Sequence, residues 1–224
     1  NMRFAKTKAV ALSALVTLLC LAALVVGTVA IFSDSSSGNV HLAAGRLSVG
    51  LYRTEMSGTQ LLPDGTVAEM PKETDPVDLE TDDSSVFDIQ GFIPGMWREA
   101  VLRVDNNGTV AFNFDVSIVN VSLNGGTAAS QALSEQITVT VYNIVGSERT
   151  QVASFHLSEY EEKGQNISLG KLNASEEENT SSSAYFAVHV SFDTEVTGDD
   201  GNLAQGGDVS FDLRVYAEQE TASE

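Results

Sequence analysis

Cysteine is almost missing from this chain, and its single copy, Cys20, lies inside an apolar N-terminal run. The residues beyond that run therefore hold no disulfide, no thiolate metal ligand and no cysteine nucleophile. Histidine is nearly as scarce. His41, His156 and His189 are far apart in sequence, and none lies in the H-E-x-x-H pattern that sets two imidazoles one helical turn apart on zinc. His156-Leu157-Ser158-Glu159 has H-x-x-E spacing, a pair common by chance. No G-x-S-x-G elbow is present to hold a serine nucleophile. Lysine and arginine number 12 against 31 acidic residues, which disfavours nucleic acid and anionic lipid as partners, since both need a basic patch. Carboxylates cluster at Asp82-Asp83, Glu161-Glu162 and Glu176-Glu177-Glu178, in polar stretches where solvated acidity accounts for them. Asp199-Asp200-Gly201-Asn202 offers the hard oxygens calcium favours but does not fit a twelve-residue EF-hand loop, so a plain turn is the simpler reading. These absences lead to the expectation of a protein that is not an enzyme, with no catalytic residue, metal site or cofactor.

What is present begins with a leader. Arg3, Lys6 and Lys8 precede an almost wholly apolar stretch from Ala9 to Phe32, which gives way abruptly to Ser33-Asp34-Ser35-Ser36-Ser37-Gly38. A basic start, an apolar core and small residues before a polar segment form a secretory signal. Thr28-Val29-Ala30 supplies a small-x-small cleavage site, so signal peptidase is expected to cut between Ala30 and Ile31. An uncleaved anchor is the alternative, because roughly 20 apolar residues can span a bilayer and a signal core usually has only about 7–15. Both readings put the rest of the chain outside the cytoplasm, touching the membrane only through an uncut leader. Leu19 before Cys20 and Leu21-Ala22-Ala23-Leu24 after it argue against a lipid-modified cysteine. Cutting 30 residues from 224 leaves 194, a size suited to one domain. Three of the 12 basic residues fall in the leader, leaving nine against 31, a net charge of −22.

Beyond the leader, apolar residues alternate with polar ones. The clearest runs are Leu47-Val49-Leu51, Val110-Phe112-Phe114-Val116-Ile118, Ile137-Val139-Val141, Phe186-Val188-Val190-Phe192 and Val209-Phe211-Leu213-Val215. Period-two patterning rich in β-branched and aromatic residues predicts strands with one wet face. Weaker strands are expected at Arg98–Val104, Thr150–His156 and Ser85–Ile89. Helical patterning is confined to Ala128–Gln136 and Leu157–Lys163. Asn106-Asn107-Gly108 predicts a tight hairpin turn with positive φ. The acidic stretches Pro63–Asp83 and Asn173–Ser183 are expected to be mobile loops. The fold class is therefore all-β: a jelly-roll-like β-sandwich with one or two short helices and long acidic loops, preceded by a signal helix.

The segment Gly27-Thr28-Val29-Ala30-Ile31-Phe32-Ser33-Asp34, followed by Ala44-Gly45-Arg46-Leu47-Ser48-Val49, resembles the start of the TasA/camelysin family. Ile93-Pro94-Gly95, Val101–Val104 with Asn106-Asn107-Gly108-Thr109, and the close Phe211–Gln219 are similar to later features of that family. The resemblance implies a secreted jelly-roll subunit that polymerises head to tail with copies of itself into fibres of a biofilm matrix at the cell surface. Other matrix proteins are potential partners. It also implies that the segment after the cleavage site is a donated strand that completes the next subunit.

The organisation expected on that basis is residues 1–30 signal peptide, 31–45 donor segment, 46–219 sandwich and 220–224 tail. Ile31, Phe32, Val40 and Leu42 are the apolar residues of the donor strand, with Ile31 and Phe32 as anchors; the plainer alternative is that the segment caps its own sandwich. Five N-x-[ST] sequons, at Asn107, Asn120, Asn166, Asn173 and Asn179, are candidate glycan acceptors in a secreted chain. Two rival functions remain open, a monomeric anchored adhesion module and a camelysin-like metalloprotease, the second disfavoured by its missing ligand cluster. N-terminal sequencing of the exported protein should return Ile31 as first residue; a chain still beginning at or before Met2 would identify the anchor instead.

Overall fold

The computed structural model describes residues 47–80, 85–89, 91–124, 127–174, 182–193 and 203–219, together with the backbone of 33–35. By its contacts the chain divides into Asn1–Phe32 and Ser33–Glu224, and every described residue belongs to the second unit. That unit is all-β. In chain order its strands are β1 (Ser33–Ser35), β2 (Val49–Leu61), β3 (Val67–Glu69), β4 (Val77–Asp78), β5 (Trp97–Asn106) and β6 (Phe112–Leu123). After helix α1 (Ala128–Gln136) come β7 (Ile137–Val145) and β8 (Glu148–His156). A 3-10 turn (Leu157–Glu159) runs into α2 (Tyr160–Lys163), then β9 (Ile167–Leu172), β10 (Ser182–Phe192) and β11 (Val209–Gln219). Among the described residues no helix is long and apolar enough to cross a membrane.

The strands form two antiparallel sheets, one ordered β1-β11-β6-β9 and the other β3-β2-β5-β10-β7-β8, with β4 also on β2. Alternation decides which face each sheet turns inward, since directly paired residues share a face. Phe186 pairs with Leu102, and Val188 pairs with both Ala100 and Val141; all five are buried. From the opposite sheet come Phe112, Phe114, Val116 and Ile118 of β6, with Val215 and Ala217 of β11. Both sets belong to one continuous core, so the two layers face each other.

Several expectations change. Asn106-Asn107-Gly108 is not a hairpin, because β5 and β6 lie in different sheets and the chain crosses between layers there. Asn106, fully buried, clasps the crossover. Its Nδ2 donates to the carbonyls of Val110 and Asn173 at 2.9 Å each, and its Oδ1 accepts from the Gly108 N–H at 2.9 Å. A side-chain turn thus replaces the positive-φ turn expected of Asn-Gly. Ser85–Ile89 is not a strand. Part of Pro63–Asp83 is ordered against β2: β3 and β4 pair with it, and Lys72 Nζ meets Glu55 at 2.7 Å. β9 was not anticipated, its alternation being broken at Gly170 and Lys171. Both short helices lie where the pattern put them.

Asn106→Ala strands a buried N–H and two carbonyls, at a cost of about 3 kcal/mol. Urea denaturation should show that loss.

Candidate functional site: a partly paired strand edge and an apolar pocket

β11 pairs with β6 along its whole length, Val209 to Gln219. Its other edge meets only β1, through Ser33–Glu218, Asp34–Ala217 and Ser35–Tyr216. From Val209 to Val215 no strand among the described residues pairs with that edge. An antiparallel strand directs alternate N–H and C=O groups to each side, so this stretch presents a row of backbone donors and acceptors.

Burial follows the pairing. The core-facing row of β11 is Val209, Phe211, Leu213, Val215 and Ala217. Val215 and Ala217, beside or next to β1, are 1% and 2% exposed, whereas Val209, Phe211 and Leu213 are only half-buried. The alternation survives because the irregularity opposite Phe211 falls on β6: the register shifts between Ser210 and Asp212. Asn120 takes a φ of 53° there, and its Nδ2 donates to Asp212 Oδ2 at 2.7 Å.

Next to Val209 and Phe211 lies a cavity of about 550 Å³, lined also by Phe92, Leu133, Val190 and Phe192. Local chemistry builds its walls. Thr127 caps α1 by accepting from the Ser130 N–H at 3.1 Å, and Ser130 Oγ donates to the Asn124 carbonyl while accepting from the Asp208 N–H. The turn before β11 packs directly on α1: a Cβ at Gly207 would lie 2.5 Å from the Ala129 carbonyl oxygen. On the other wall Gly95 takes a φ of 87° after Pro94, its N–H donates to the Phe192 carbonyl, and the Phe92 and Phe192 rings lie 6.0 Å apart. Apolar walls beside unpaired backbone suit an extended, alternating peptide better than a polar small molecule.

Ala30, Ile31, Phe32, Val40, Leu42, Asn179 and the Asp199–Asn202 turn lie outside the described residues. Asn107, Asn120, Asn166 and Asn173 are all exposed, and Asn107 follows Asn106, whose Nδ2 donates to the Asn173 carbonyl. Asn120 and Asn166, with φ of 53° and 51°, have a backbone reason to be asparagine, which tolerates the left-handed region. The H-x-x-E pair is a helix cap, since Glu159 Oε2 accepts from the His156 backbone N–H at 3.1 Å. Among the described residues no group of three or more His, Cys, Asp or Glu side chains is placed to hold a metal ion.

A second constellation went unread in the sequence. His189 stacks on Trp97 with ring centroids 5.3 Å apart, and its Nδ1 lies 3.1 Å from Glu99 Oε2. Arg149 grips the same carboxylate with both terminal guanidinium nitrogens and lies over the Tyr142 ring at 3.7 Å. Strand register alone unites them, pairing His189 with Glu99 across β10 and β5. None of these residues lines the cavity, and the cluster ties four strands together.

Burial by itself would raise the Glu99 pKa, but hydrogen bonds from His189 and Arg149 and their charges outweigh it and bring it to about 2. A carboxylate depressed in the folded state adds stability above its unfolded pKa and loses it as pH falls through the folded one. Glu99→Gln should therefore flatten the fall in stability between about pH 4.5 and pH 2, read from urea midpoints across that range.

No family model matches the chain, and a search of curated proteins returns no match either.

Proposed function

We propose that this chain is an exported structural subunit that polymerises head to tail into extracellular matrix fibres. In this reading each subunit lends Ile31–Leu42, anchored by Ile31 and Phe32, to the outer edge of β11 in the next. The observation that carries it is the asymmetry of β11 among the described residues: it has eleven residues, is paired throughout on one side and is paired at three residues on the other. Such an edge recruits a strand by backbone hydrogen bonding, with alternate side chains supplying specificity. The connectivity supports a jelly roll. With β2, β3 and β4 set apart, the sheets run first-eighth-third-sixth and second-seventh-fourth-fifth, and β1 is the short first strand of that order. The likeness of Gly27–Asp34 and Ala44–Val49 to the TasA/camelysin family points the same way. The reading needs no catalytic group and no cofactor, and signal peptidase would gate assembly by releasing the segment from the membrane.

A second reading keeps the chain as a monomeric, membrane-anchored surface module. It draws on the pairing of β1 with β11 inside one chain.

The net charge of −22 sets the conditions for a test, because subunits this acidic repel one another until carboxylates are protonated or salt screens them. Purified Ile31–Glu224 should form filaments by electron microscopy at high concentration, low pH and high salt. Deleting Ile31–Ser37 should abolish filaments while circular dichroism still reports a folded monomer. A full-length mature chain that stays monomeric under all these conditions overturns the proposal.

A further inference from the structure

We infer that the outward face of the larger sheet, on β5, β10 and β7, is a contact surface for a second copy of this chain, packed face to face on the same patch of its partner. This contact is separate from the β11 edge and does not depend on the fibre reading.

An antiparallel sheet with one wet face carries polar side chains on it. Here pairing puts Ala187 between Val101 and Tyr142, Tyr185 between Arg103 and Ile144, and Ser191 beside Trp97. These rows alternate with the inward Leu102, Phe186 and Val188, so they share the opposite face. Trp97, Val101, Tyr142, Ile144, Tyr185 and Ala187 are all aromatic or aliphatic, yet none belongs to the core between the sheets. Ala187 is 0% exposed beneath this outer layer, while Tyr185 keeps 39% of its surface in water. The outward row of β11 on the other sheet reads Ser210, Asp212, Arg214, Tyr216 and Glu218 instead. A surface rich in Tyr, Trp and Arg and poor in Lys has the composition of an interface core.

Charge and area select the occupant. Arg149 holds Glu99, Arg103 Nε donates to Asp105 Oδ2 at 3.1 Å, and Lys72 meets Glu55 at 2.7 Å on the β2 margin, so these carboxylates and cations balance. The chain as a whole carries −19. Two such molecules repel over most of their surfaces and least where both are neutral. An isologous contact needs no second patch, since one face serves both partners. From β2 to β8 the neighbouring strands span roughly 20 Å, and the steps from Trp97 to Arg103 cover roughly 20 Å along them. That is about 400 Å² of flat sheet per copy, and about 500 Å² with side chains standing on it. Two copies in contact then bury about 1,000 Å², the low end for a specific, reversible association.

Trp97 is the only tryptophan, so its fluorescence reports whether this face is covered. The exported chain is brought to rising concentration at about 1 M salt, where the Debye length is only about 3 Å. Acrylamide quenching of Trp97 should fall as sedimentation detects dimers. Tyr185→Lys should weaken that association about 30-fold and leave Trp97 open, and Tyr185→Ser, which adds no charge, should weaken it too. Asn113→Lys puts the same added charge on an exposed position of the smaller sheet and should leave the dimer intact. A chain that stays monomeric, dimers in which Trp97 stays open, or a Tyr185→Lys chain that associates like its parent overturns the inference. So does an added neutral polysaccharide that shields Trp97 on a monomer, which would assign the face to a sugar polymer. Fibres that form singly with Trp97 open leave the fibre reading standing without this one. Dimers that shield Trp97 where no fibre forms do the reverse.

Discussion

β11 is held unequally, by a ladder along its full length to β6 and by three pairs to β1. Much else depends on that imbalance. Near the described β1 pairs Val215 and Ala217 are buried, whereas Val209, Phe211 and Leu213 are half-buried and a cavity lies next to Val209 and Phe211. Each net backbone hydrogen bond is worth only about 1 kcal/mol, so three pairs make a replaceable contact.

The rest of the molecule keeps that edge in shape. The bulge at Asn120 takes up the irregularity on β6 and leaves the alternation of β11 intact. Gly207 and Ser130 bind the approach to β11 against α1, and Gly95 brings the Phe92 wall to Phe192. On the outer surface of the larger sheet, Glu99 with Arg149 and His189 ties together strands otherwise joined only pairwise.

The strands were legible wherever one face was dry. β6, β7, β10 and β11 alternate over enough residues that period two admits no helix, and Ala128–Gln136 and Leu157–Lys163 showed as helices by lacking that alternation. The pattern failed where burial was not the cause of structure. β9 breaks its alternation at Gly170 and Lys171, and β3 and β4 are ordered by pairing on β2 rather than by an apolar face of their own. Asn106-Asn107-Gly108 misled because a buried amide can clasp a crossover as well as a glycine can close a hairpin. The ends of the candidate site, Val209 and Phe211, were visible as strand residues. That no described strand pairs with the outer edge there was not, since it depends on which strands neighbour one another. The Glu99 cluster was invisible for the same reason.

β1 and β11 also join parts of the chain about 180 residues apart, and contacts of such long sequence separation form late. A polypeptide delivered N-terminus first exposes the residues of β1 before the strand that receives them exists. Throughout that interval the residues of β1 are without their intrachain partner. Synthesis order alone thus makes this pairing one of the last to form.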